Sequence, residues 1–193
     1  KKRSACRKYL SRQVEPEKLE LILEAGRVAP TGANRQPQRL VVVQSKEGME
    51  RLARCTRDFG APTAVIVCAD TSEAWTRKYD GKNISDIDAS IVTDHMMLCA
   101  ASLGLNTLWI CMFKPEAVRE EFRLPEHVGC CTDQYFIILF SVFISQSVNQ
   151  RCLASGTNDG YYFLMHNLIP IYYDARVKRS KSTSAGIIVG AFD

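Results

Sequence analysis

No apolar run in this sequence is long enough to cross a bilayer as a helix. The longest, Tyr135–Ile144, is interrupted only by Ser141 and has about half of the roughly 20 residues a span requires. It reads as a buried strand or core helix. The eight cysteines (Cys6, Cys55, Cys68, Cys99, Cys111, Cys130, Cys131 and Cys152) contain no CxxC pair and no zinc-finger spacing. Cys68, Cys99 and Cys111 stand in apolar stretches, where a thiol acts as a small hydrophobe. The vicinal Cys130–Cys131 pair suggests no role. No GxGxxG follows a strand, which removes a standard dinucleotide fold. Gly81-Lys82 has Thr76 where a phosphate-binding P-loop needs glycine. Histidine is scarce: His95, His127 and His166 lie far apart and none sits in HExxH. His95, inside an apolar helix pattern, reads as a core residue rather than a ligand. GxSxG is also missing, so hydrolase chemistry has no positive support.

A single-sign charge surplus is missing too. The 25 basic and 21 acidic residues leave a net +4, and nucleic acid is not the expected partner. The basic residues are unevenly spread, however. Lys1, Lys2, Arg3, Arg7, Lys8 and Arg12 all precede the first acid, Glu15. Such an opening is a solvated tail, the remnant of an Arg-rich transit peptide, or an anion site whose commonest guest is a phosphate. The basic end at Arg176, Lys178, Arg179 and Lys181 reads as solvated. No secretory signal is recognisable, so a reducing cytoplasm is the expected compartment.

What is present suffices for one ordinary domain over residues 1–193. With 46% hydrophobic residues, the chain can bury a core without disulfides. Pro16 opens a helix, with Glu15, Glu17 and Glu20 near its positive end. Leu19, Ile22, Leu23 and Gly26 fall on one face, and Pro30 stops it. Leu40–Gln44 reads as a strand, Lys46–Arg57 as a polar helix, and Ala64–Ala69 as a strand buried on both faces. Ile87–Leu105 is the most apolar helix, capped by Ser85 or Asp86 and ended by a left-handed Gly104. Thr107–Met112 is a further strand, and Pro115 opens a helix that runs out near Leu124-Pro125. Helices alternating with strands predict a layered α/β or α+β domain.

Two segments carry the chemistry. The first is Lys2-Arg3-Ser4 with Arg7-Lys8-Tyr9. The second is Pro30-Thr31-Gly32-Ala33-Asn34-Arg35-Gln36-Pro37, one helix downstream. Alone, the second is an ordinary turn rich in Pro, Gly and Asn. Together they resemble the basic–Arg–Ser opening and the Pro-Ser-x-x-Asn-x-Gln-Pro loop of the FMN-dependent nitroreductase family. A long apolar helix ending in Gly-Leu, a Trp-bearing strand and a helix leading to Leu-Pro-Glu extend the resemblance to about Val128.

The resemblance implies an α+β fold with a mixed sheet flanked by helices, a long central apolar helix, and an intertwined homodimer holding FMN at its interface. It implies an NAD(P)H-dependent oxidoreductase in which a small-molecule acceptor, such as a nitroaromatic or quinone, is reduced by ping-pong turnover. Arg3, Arg7 and Ser4 suit phosphate oxygens. Gly32 permits close backbone approach, and Thr31, Asn34 and Gln36 offer small polar groups for ring carbonyls and nitrogens. Pro30 shapes the loop. Trp109 either lies near the flavin or packs in the core, and Lys82 either reaches the cofactor or is solvated. No catalytic side chain is expected, since the flavin carries the redox chemistry. Downstream the sequence departs from the family: no Gly-Tyr-Pro follows Tyr135–Ile144, and Arg151 is the one basic residue near the region that closes the phosphate site. Residues 129–193 are a divergent arm or an aberrant tail. A non-catalytic flavin-binding or structural dimer is the alternative from another class. A dehalogenase or flavin-cleaving enzyme is the alternative within the family.

Overall fold

The computed structural model describes residues 3–125, 128 and 136–142. The elements are α1 (Pro16–Arg27), β1 (Gln38–Val43), α2 (Lys46–Cys55), β2 (Thr63–Ala69), α3 (Ser85–Ser102), β3 (Leu105–Ile110), α4 (Pro115–Phe122) and β4 (Phe136–Val142). The strands form one sheet in the order β1-β2-β4-β3, antiparallel at each pairing. Outside these strands, among the described residues, one isolated parallel bridge joins Ala5 to Thr107 along the outer edge of β3. The fold is α+β.

Side-chain alternation along each strand assembles the layers. Leu40, Val42, Val65, Val67, Ala69 and Ile138 join α1 and α3 in one apolar cluster. Their neighbours Val41, Val43, Ala64, Ile66, Ile137 and Leu139 join Leu52 of α2 and Val118 and Phe122 of α4 in a second, on the opposite face. β2 lies between β1 and β4 with both faces covered, so all seven of its residues are buried. Each large aliphatic so enclosed contributes about 1.5–3 kcal/mol.

α1 begins at Pro16, and its buried Leu19, Ile22 and Gly26 follow the expected helical spacing. A β-carbon at Gly26 would stand 2.8 Å from the Sδ of Met96, so the bare backbone there lets α1 pack closely on α3. α3 packs against α1 and against all four strands, which makes it the central helix. Gly104 ends it with φ +81°.

Three sequence expectations need correction. Neither Ser85 nor Asp86 caps α3: the cap position is Ile84, and the Ser85 N–H donates instead to the Asn83 Oδ1 at 3.0 Å. His95 is exposed and its Nδ1 lies 2.9 Å from the Ile91 carbonyl oxygen, because it falls with Asp94 on the helix face away from the sheet. Cys111 is exposed because β3 ends one residue before it, whereas Cys68 is fully buried in β2 and its thiol pKa is pushed up to about 12 by burial.

Candidate functional site

The segment joining α1 to β1 is locally strained. Ala33, Asn34 and Gln36 have φ of +48°, +53° and +49°. None is glycine, and a left-handed L-residue costs of order 1–3 kcal/mol. Gly32–Asn34 forms a short 3-10 turn. Such a shape persists only if its surroundings impose it, and here they do so at both ends of the loop.

Inside the loop, the Thr31 hydroxyl accepts the Gln36 N–H at 3.0 Å and the Thr31 carbonyl accepts the Asn34 N–H at 2.9 Å. At its entry, the Gly32 N–H donates to Asp88 Oδ1 at 2.9 Å. At its exit, the Asp70 N–H donates to the Pro37 carbonyl at 2.8 Å. Arg39, on β1, donates to the Gln38 carbonyl at 3.1 Å and stands 3.4 Å from that of Gln36. The Arg39 guanidinium is itself held by Glu73 at 2.5 Å and by the buried Asp70 at 3.7 Å.

Packing gives Gly32 a further reason to lack a side chain, beside the close backbone approach that the sequence suggests. A β-carbon on it would meet the Cδ1 of Ile84 at 2.4 Å and the Cβ of Trp75 at 3.0 Å. These two side chains seat the loop on the start of α3. With its backbone fixed, the loop leaves Asn34 exposed and Gln36 half-buried. Neither side chain has a hydrogen-bond partner among the described residues. These are amide groups with donor and acceptor capacity to spare.

The opening basic segment is held differently. The Ala5–Thr107 bridge and a Cys6 N–H bond to the Thr107 carbonyl (3.1 Å) lay it along β3. The Tyr9 hydroxyl donates to the Cys6 carbonyl at 2.7 Å, and burial raises its pKa. Arg3, Ser4 and Arg7 are exposed and form no ion pair among the described residues. Guanidinium forks and a hydroxyl in water are a suitable donor set for a phosphate.

The two motifs lie on opposite edges of the sheet. The loop runs into β1, while the opening segment lies outside β3. Four strand spacings of about 4.8 Å separate them by roughly 19 Å. They also lie at opposite ends: Arg3 precedes the Thr107 bridge on the side where Leu105 pairs with Val142, while Gln38 begins β1 beyond the Val67–Phe136 pair. One chain therefore does not bring Arg3 and Ser4 to Asn34 and Gln36. Pro30 is exposed just before the strained residues, and Trp109, half-buried on β3, packs on the cluster shared by α1 and α3. Lys82 is exposed in a turn closed by the Thr76–Asn83 bridge, with its backbone bonded to Asp80 and Arg77. Arg151 lies outside the described residues, as do His127, His166 and Cys130–Cys131.

Sequence patterns did not single out Asp88, Arg39, Trp75 or Ile84. The available signal was Asp88, a carboxylate in the first turn of the most apolar helix. It is 1% exposed, and burial raises its pKa against the lowering effect of the Gly32 N–H, with Asp86 adding to the rise.

The nitroreductase family profile matches residues 1–59 and 51–132. The chain belongs to the nitroreductase family. A nitroreductase family protein of Clostridium difficile 630 is 49% identical in its crystal structure, with a TM-score of 0.70 over 75% of this chain and 83% of that one. An FMN-dependent nitroreductase from Clostridium difficile R20291 is 28% identical, with a TM-score of 0.63 over 73% of this chain and 83% of the other. A Methanothermobacter thermautotrophicus protein named as an NADH dehydrogenase/NAD(P)H nitroreductase is 33% identical over 137 residues, which is 66% of this chain and 69% of the relative. Among the described residues no helix is long and apolar enough to cross a membrane.

Proposed function

We propose that this nitroreductase-family chain is an FMN-dependent oxidoreductase that takes reducing equivalents from NADH or NADPH and delivers them to a nitroaromatic, a quinone or a similar planar acceptor by ping-pong turnover. The observation that carries the reading is the Thr31–Gln36 loop. Its backbone is clamped in a strained shape while the amides of Asn34 and Gln36 stay uncommitted. These groups suit the carbonyl and nitrogen edge of a flavin ring. Arg3, Ser4 and Arg7 suit its phosphate, and no other charge competes for them among the described residues. When bound, FMN supplies the redox chemistry, and the chain binds, orients and shields it. No side chain is assigned as a general acid or base.

The roughly 19 Å between the two motifs favours a composite site, with the loop from one copy and the basic opening from another. Exposed Leu21 and Val28 on α1 and next to it, and Ile87 and Leu98 on α3, supply apolar surface for such a homodimer. Trp109 and Lys82 are secondary members of the site, as is Arg151. A single domain and a cytoplasmic location complete the proposal, the latter in keeping with the free thiols among the described residues.

The deciding experiment is an anaerobic titration of purified protein loaded with FMN. Addition of NADH or NADPH is expected to bleach the flavin band near about 450 nm, and an added quinone to restore it. Protein that fails to take up FMN overturns the reading. Bound FMN that neither nicotinamide reduces leaves only a flavin-binding role.

A further inference from the structure

Asp88 is a poor residue for the place it occupies. It sits in α3 at 1% exposure, among the side chains that join α1 and α3 to the sheet. One carboxylate oxygen, Oδ1, accepts the Gly32 N–H at 2.9 Å. The other, Oδ2, is buried without a hydrogen-bond partner among the described residues. A buried carboxylate oxygen left in this way costs the fold stability. An alanine or leucine would suit the apolar helix better. The start of α3 attracts negative charge weakly and does not offset that cost.

What the carboxylate does hold is the entry of the strained loop. Gly32 is the first residue of the 3-10 turn, and the left-handed Ala33, Asn34 and Gln36 follow within four positions. Trp75 and Ile84 fill the space that a β-carbon on Gly32 would take, through carbon atoms that form no polar bond. The Thr31 hydroxyl and the Arg39 guanidinium act on Gln36, at the far end. Among the described residues, Asp88 supplies the one side-chain hydrogen bond from a core helix to the near end.

We propose that Asp88 is a positioning residue for the flavin: its Oδ1, by fixing the Gly32 N–H, preorganises the Thr31–Gln36 loop so that Asn34 and Gln36 meet the ring without first having to be ordered. This rests on the flavin reading above. The role requires an acceptor at Oδ1 and does not require the charge. Without the acceptor, the loop relaxes toward unstrained conformations, and binding must then supply the ordering free energy that the fold now supplies in advance. The fold itself loses a badly solvated carboxylate. Affinity and stability therefore move in opposite directions, which a residue of merely structural importance would not produce.

The test compares wild type, Asp88→Ala and Asp88→Asn by three measurements: FMN affinity from quenching of flavin fluorescence, thermal melting of the flavin-free protein, and hydrogen exchange of the peptide spanning residues 30–37 without flavin. In the alanine variant, FMN affinity is expected to fall by about tenfold, the worth of one buried hydrogen bond whose acceptor need carry no charge. Its flavin-free melting temperature should hold or rise, and the loop peptide should exchange faster. Asparagine keeps an acceptor at Oδ1, so affinity should stay within about threefold of wild type, with loop protection retained. Should alanine unfold the chain, Asp88→Ser, whose hydroxyl stops short of Gly32, takes its place with the same expected outcomes. Wild-type affinity in the alanine or serine variant overturns the proposal, as does an asparagine variant that binds as weakly as alanine. Parallel loss of stability and affinity overturns it too, by assigning Asp88 to the fold alone. A wild-type protein that takes up no FMN overturns the flavin reading instead, and the exchange measurement then still decides whether Asp88 clamps the loop.

Discussion

The Thr31–Gln36 loop and the Arg3–Arg7 segment are both motif-bearing, yet the fold treats them in opposite ways. The loop is pinned by Asp88, Thr31, Arg39 and the Asp70 backbone, and seated by Trp75 and Ile84. The basic segment is held at Ala5 and Cys6 by the bridge to Thr107 and by the Tyr9 hydroxyl, with its cationic ends in water. The contrast matches what each would have to recognise. Reading a planar ring edge depends on donors and acceptors at fixed angles, so preorganisation is worth its strain. A phosphate presents charge in nearly every direction, and flexible guanidinium groups meet it without a rigid frame.

Substitutions can break this contrast or sharpen it. The largest effect is expected from Gly32→Val, because its β-carbon already meets Ile84 and Trp75 before the two methyls are added. Overpacking should cost about 1–3 kcal/mol of stability in chemical denaturation and displace the loop, so that FMN binding is lost with it. Combining it with Ile84→Ala should recover part of both. No recovery would mean that the seat is not what demands glycine. Next comes Arg3→Ala, expected to weaken FMN binding by about 1.5–3 kcal/mol with the melting temperature unmoved, as befits an exposed cation. Affinity unchanged by this substitution would remove Arg3 from the site.

The smallest effect concerns pH. Burial raises the folded pKa of Asp88 above its unfolded value. Its contribution to stability is therefore most favourable below the unfolded pKa and is lost as pH rises through the folded one. Thermal melts of flavin-free protein from the ordinary carboxylate range upward should show this decline, and Asp88→Asn should lack it. A profile identical in the two proteins would show that Asp88 does not titrate as its burial implies.

Much of the frame was legible from local chemistry. Pro16 and the spacing of Leu19, Ile22 and Gly26 defined α1, and the β-branched run at Ala64–Ala69 announced a strand covered on both faces. Other features depended on distant contacts. The exposure of His95 depends on which face of α3 meets the sheet, and that is settled by packing on α1 and the strands. The motif Pro30–Pro37 was readable because its residue types are unusual together. Its partners were not, since Asp88 lies 56 residues further on.

Sequence by itself determined the helices and the first three strands, the two motif segments and membership of the family, because helix starts, strand runs and motif spacings are properties of neighbouring residues. The tertiary structure alone decided that the motifs stand on opposite edges of the sheet, that Gly32 makes room for Trp75 and Ile84, and that a buried aspartate holds the loop. Strand order and helix docking are fixed by the shared burial of residues far apart in the chain, and a linear pattern carries no record of which surfaces meet.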